Sequence, residues 1–150
     1  MATWSEFESA EPELAANARA LLYRDGSGKA MLATVRGDSP PHINPISVGI
    51  VGDELCAFIF PSGKLTDLTS DGRYALHAHL DLREPNELLL RGRVRELTDS
   101  DVRATAIAAW PFEPDDEYRL FAFDIETVLV GRRDSPNEWP PRYTRWRSGA

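Results

Sequence analysis

The sequence predicts a mainly β domain with flanking helices, its strands antiparallel and closed wholly or partly into a barrel. Three observations carry that expectation. Six apolar segments follow one another at short spacing, separated by breaks rich in Gly and Asp. Two of the breaks, Gly37-Asp38-Ser39-Pro40 and Gly52-Asp53, are hairpin-sized, so the strands they join run antiparallel. The helical segments are too few to cover an open sheet, and closure is one way to remove its edges.

Each element has a local reason. Residues 11–24 read as a helix: Pro12 suits a first turn, Ala dominates the interior, and Asp25-Gly26 is a stop. The period then changes to strands over 30–36, 42–51 and 54–60. A short helix over 64–70 ends at Asp71-Gly72. Residues 73–81 alternate again, with Tyr74, Leu76, Ala78 and Leu80 on one face and Ala75, His77 and His79 on the other. A fifth strand covers 86–97, where Gly92 signals a bulge or a close backbone approach. Thr98-Asp99-Ser100-Asp101 is an N-cap cluster for a helix over 99–109, ended by Trp110-Pro111, and 118–132 is the last strand. From Asp134 the chain has three prolines and reads as an irregular tail. One domain is expected over 1–150, with its core over about 13–133 and its tail over 134–150.

Composition narrows the function. A formal net charge of −7 argues against a nucleic-acid partner, because phosphate backbones are bound by basic surfaces. The basic residues Arg142, Arg145 and Arg147, set among Tyr143 and Trp146, are better suited to packing on a partner subunit. The one cysteine, Cys56, sits in an apolar run and reads as a buried hydrophobe. No apolar run reaches membrane-spanning length and the N-terminus lacks a signal-peptide pattern, so a cytoplasmic location is expected, without a membrane partner. No nucleophile elbow, Walker loop or His-Glu-x-x-His motif occurs. Enzymatic chemistry in this chain would therefore be carried by a cofactor.

One segment points to a ligand. In Phe58-Ile59-Phe60-Pro61-Ser62-Gly63-Lys64-Leu65 a strand breaks and a helix starts, which gathers free backbone amides, a hydroxyl and an ammonium at one point. Such a point suits a phosphate. Lys64 in a first turn opposes the helix dipole, a misfit that an anion would relieve, and Ser62 is also a natural N-cap. His77 and His79 share a strand face without an evident third metal ligand, so no metal site is expected and packing is the expected role. His42 could face the ligand, and Trp110 reads as core.

Four segments in order, Met31-Leu-Ala-Thr-Val-Arg36, Pro41-His-Ile-Asn-Pro-Ile-Ser47, Ser62-Gly-Lys-Leu-Thr-Asp-Leu68 and Leu89-Leu-Arg-Gly-Arg-Val94, resemble the pyridoxamine 5′-phosphate oxidase-like superfamily over about residues 13–132. The resemblance implies a six-stranded antiparallel split β-barrel and a homodimer with FMN between the subunits. It places Asn44, Pro45, Ile46 and Ser47 along the flavin and its ribityl chain, Ile59 and Phe60 against the ring, and Ser62, Gly63 and Lys64 at the phosphate. It brings Trp139 across the dimer to cover the cofactor. Asn44 stands where relatives often carry a phosphate-binding arginine, so the charge falls on Lys64, with Arg73 or a partner-subunit arginine as a second cation. Asn86-Glu87 and the tail depart from the true oxidase, so that reaction is not expected. The expected activity is an FMN-dependent oxidoreductase of unspecified small-molecule substrate. Coenzyme F-420, a deazaflavin, is the alternative cofactor; a non-enzymatic flavin or haem binder, with His77 or His79 on the iron, is the other.

Overall fold

The computed structural model describes residues 1–149. Four helices, α1 (Trp4–Ala10), α2 (Pro12–Leu22), α3 (Gly63–Ser70) and α4 (Ser100–Ala109), flank eight strands. The strands are β1 (Lys29–Thr34), β2 (His42–Ser47), β3 (Gly49–Val51), β4 (Glu54–Ile59), β5 (Arg73–Ala78), β6 (Glu87–Glu96), β7 (Arg119–Arg132) and β8 (Arg142–Arg147). They form one antiparallel sheet in the order β2-β1-β5-β6-β7-β4-β3, with β8 added to β7. The order begins at β2 and ends at β3, which are consecutive in the chain, so the sheet curls back on itself as a half-barrel. No helix is long and apolar enough to cross a membrane.

Three expectations are corrected. The strand expected over 42–51 breaks in two at Val48, whose N–H donates to the Gly28 carbonyl (3.0 Å) and turns the chain. The tail is not irregular throughout: β4 covers β7 only from Arg119 to Ala122, and Arg142–Arg147 pairs with the stretch of β7 from Thr127 to Arg132. With these changes the sheet has eight strands rather than six. The third correction is α1, which sequence patterning did not anticipate. Its N-terminus is a capping box, with Thr3 and Glu6 each bonding the other's backbone.

The core lies inside the curl. Leu32, Leu55, Ile59, Leu76, Leu88, Leu90, Leu120 and Ile125 are fully buried, joined by Trp4 and Phe7 of α1. From Leu55 to Ile59 both faces of β4 are covered, which buries Cys56; burial, with the Glu54 charge, pushes its thiol up to about 12. Gly92 marks a bulge where β6 changes register against β7, and a Cβ there would lie 1.9 Å from the Asp124 carbonyl oxygen.

Candidate functional site

Among the described residues three buried side chains are polar or charged, Thr34, Lys64 and Asp67, and two of them sit one helical turn apart on α3. The third ends β1 and donates to Asp67 (Oγ1 to Oδ2, 2.8 Å). Burying such groups is costly unless they are paired. Their gathering at one end of the barrel marks that corner as the candidate site.

The start of α3 is built as the sequence predicts. Ser62 caps the helix, its Oγ accepting from the Leu65 N–H (3.4 Å) and donating to the Phe60 carbonyl (2.8 Å). That commits the hydroxyl to the backbone. The amides of Gly63 and Lys64 precede the first helical acceptor and have no protein partner among the described residues. Lys64 is 9% exposed, and its ammonium lies 4.2 Å from the centre of the Phe60 ring. It forms no ion pair among the described residues. Burial pushes its amine below the ordinary lysine range. A partly desolvated cation with two unpaired amides beside it suits an anion.

Asp67 anchors the other side of the corner. Its carboxylate is 0% exposed; Oδ2 takes the Thr34 hydroxyl and lies 2.6 Å from His42 Nδ1, while Oδ1 lies 3.6 Å from Arg36 Nε. Burial alone would raise this carboxyl, but the His42 and Thr34 hydrogen bonds and the His42 and Arg36 charges outweigh it and hold it below the usual range. The His42 side chain is 51% exposed. Asp67 escaped the sequence reading. The only signal was its spacing, three residues after Lys64 and one before Leu68, which puts a carboxylate on the buried stripe of α3.

Strand alternation divides the expected flavin strand. Residues paired across β1 and β2 share a face, so His42, Asn44 and Ile46 point inward with Thr34, Leu32 and Ala30. Pro45 and Ser47 point outward with Met31 and Lys29. Ile59 is fully buried, which leaves its backbone to meet a ligand, whereas Phe60 is 44% exposed. Trp139 is 74% exposed, with the Arg133 guanidinium 5.7 Å from its ring. It follows the far end of β7 from the Ile59–Arg119 pair, and a 14-residue strand spans roughly 45 Å at about 3.3 Å per residue. One chain does not bring Trp139 to Lys64. Arg73 is engaged with Asp71 through Nε and Nη2 (2.6 and 2.7 Å).

The opposite, outer face of the sheet holds a hollow of about 600 Å³ lined by Ala33, Ala75, Arg91, Thr127 and Arg147. None of Thr34, Lys64 and Asp67 lines it. His77 also points outward, paired with Met31 and Leu89, its Nδ1 2.7 Å from the Ala78 carbonyl oxygen. His79 lies beyond the end of β5, with a buried Nε2 that lacks a partner. No group of three potential metal ligands occurs among the described residues.

A pyridoxamine 5′-phosphate oxidase-like protein from Listeria innocua superposes with a TM-score of 0.64 at 16% identity, covering 79% of this chain and 98% of its own. The fold is a split barrel of the pyridoxamine 5′-phosphate oxidase type. The same split barrel occurs in general stress protein 26 from Bacillus anthracis (TM-score 0.62, 18% identity, 87% of this chain and 97% of that one). A haem binding protein from Mycobacterium smegmatis matches 88% of the chain with a TM-score of 0.63 at 14% identity, and the chain spans 57% of its length. No family model and no curated protein matches the sequence. At these identities the likeness speaks for the fold.

Proposed function

We propose that the chain binds FMN with its phosphate at the start of α3 and acts as a flavin-dependent oxidoreductase. The observation that carries this is Lys64: a lysine only 9% exposed at a helix N-terminus, whose ammonium forms no ion pair among the described residues. The fit is chemical. A phosphate would accept from Lys64 and from the Gly63 and Lys64 amides in charge-assisted hydrogen bonds, and would remove the conflict between the ammonium and the helix dipole. Ser62 supports this seat by fixing the helix start. Asn44 and Ile46, on the inward face of β2, and the exposed edge of Phe60 are positioned to line the rest of the cofactor, while Ile59 offers backbone only.

Bound FMN would supply hydride chemistry; the chain's part is to hold, orient and shield it. Shielding is incomplete in one copy. Ile43 is 66% exposed, and Pro45, also exposed, stands beside it on the outer face of β2. We propose that a second copy packs on that face as a homodimer and that Trp139 covers the partner's cofactor. Coenzyme F-420 carries its own phosphate and competes for the same seat.

A haem-binding reading has one specific support. The His77 Nδ1 bond to a carbonyl leaves Nε2 free, which is how ligating imidazoles are usually held. A fold neighbour is itself a haem binding protein.

The test is the absorbance spectrum of the purified protein, followed by titration with FMN, F-420 and haem. FMN uptake that weakens at least tenfold in Lys64→Met supports the proposal. Uptake of F-420 alone transfers the seat to the deazaflavin, and a Soret band lost in His77→Ala favours haem. A protein that takes up neither flavin overturns the reading.

A further inference from the structure

Lys64 explains one buried charge at the corner and leaves the other unused. Asp67 is fully buried, yet the group it orients, His42, is half exposed. If the carboxylate served only to pin α3 to β1, the Thr34 hydroxyl bond would suffice, and an amide would do it without a buried charge. What a carboxylate adds is an acceptor with no donor. It holds Nδ1 as the protonated nitrogen whether or not the ring is charged, and so leaves Nε2, on the far side of the ring, to gain or lose the second proton. Thr34 and Arg36 in turn fix the carboxylate. His42 is on the inward face of β2 with Asn44 and Ile46, and Asp67 is on the same buried side of α3 as Lys64. Among the described residues the charged group in contact with the imidazole is Asp67 from α3, and Arg36 from the β1–β2 turn pairs with the same carboxylate.

We infer that His42 is the proton-transfer residue of this site, with Asp67 its positioning residue. The inference rests on the FMN reading of the corner, and it adds a substrate class: compounds in which a heteroatom changes protonation as a neighbouring centre exchanges hydride, such as quinones or imines. In the reducing direction the substrate receives hydride from reduced cofactor and a π bond opens. The electron pair of that bond moves to the heteroatom, which takes the proton from His42 Nε2. The ring is left neutral, and solvent restores its proton through the exposed edge. The oxidising direction reverses each transfer.

Two measurements test this, one of them independent of any cofactor. In ¹⁵N-labelled protein without FMN, neutral His42 is expected as the Nδ1–H tautomer, and Asp67→Asn shifts it toward a mixture. A neutral His42 that is Nε2–H in the wild type, or unchanged by Asp67→Asn, overturns the positioning. In the second measurement, FMN-loaded protein is reduced photochemically and mixed with menadione in a single turnover. His42→Gln is expected to bind FMN within about twofold of the wild type but to react about 100-fold more slowly at acid pH, with the wild type's loss of rate on rising pH abolished. An unaltered pH profile in His42→Gln overturns the proton-transfer role. If the wild type binds no FMN, the cofactor reading fails and the hydride step falls with it. The tautomer result then still decides whether the pair is built as described. His42 is half exposed, so its glutamine variant is expected to fold even if Asp67→Asn is unstable.

Discussion

The α3–β2 corner buries its charges, whereas the strip across β4, β6 and β7 keeps its ion pairs in water. Along the strip Arg95 reaches Glu54 at 2.9 Å and Asp124 at 3.0 Å, with its own side chain 44% exposed. Arg119 pairs with Glu96 in the same manner. These contacts are close and well formed, and each contributes little, because water and salt already solvate both partners. At the corner Asp67 is 0% exposed and shares one oxygen between Thr34 and His42, while Lys64 forms no ion pair among the described residues. Desolvation there makes each missing partner costly. The better-paired region is thus the less consequential one. A buried, poorly paired region is costly for a fold to keep, and this cost is why we propose the corner as the functional site.

The comparison can be broken by experiment. Asp67→Ala is expected to have the largest effect, about 3–5 kcal/mol in urea unfolding, because it strands the groups that a buried carboxylate satisfied. A loss below about 1 kcal/mol would put Asp67 on a par with the surface strip. Lys64→Met comes next and has two parts. FMN affinity falls ten- to a hundredfold, about 1.4–2.8 kcal/mol, while the protein without FMN is as stable as the wild type or more so. A stability loss of the same size would mean that Lys64 is structural.

The third effect is on pH dependence. The Asp67 carboxyl titrates below its ordinary range in the folded chain, so its contribution is complete above the ordinary carboxylate range and is lost as pH falls through the lowered value. The acid limb of stability should therefore be shallower in Asp67→Asn. Lys64 also titrates below its ordinary 10.5, so the unfolded chain binds the extra proton between the two values. Wild-type stability should rise with pH across that alkaline window relative to Lys64→Met. Smallest of all is Arg95→Ala, expected within about 1 kcal/mol and reduced further by salt. A larger loss would mean that the strip acts as a cooperative network.

Much of this arrangement was legible before any coordinates. The Pro61 break, the Ser62 cap and the first-turn Lys64 follow from local chemistry, and the structure keeps them together because capping and dipole effects act within one turn. The alternating strands were equally plain, since burial on one face leaves a period of two. Non-local facts were hidden. Asp67 looked like an ordinary helical acid because its partners, Thr34 and His42, come from strands more than twenty residues earlier. The β8 pairing depended on how far β4 covers β7, a length that no local pattern encodes. At α1 the capping box of Thr3 and Glu6 is the local signal, and a helix of seven residues is too short to add a clear periodicity to it.

The joint at Val48 has a mechanical consequence. It links β2 and β3 through one residue, and its N–H is tied to Gly28, where a Cβ would lie 2.1 Å from the Val48 carbonyl oxygen. At the other end of β2, His42 is tied to Asp67. A beam clamped at both ends can bow under load but cannot slide along its axis. Asn44 and Ile46 lie between the two ties, so their order along β2 is fixed at both ends.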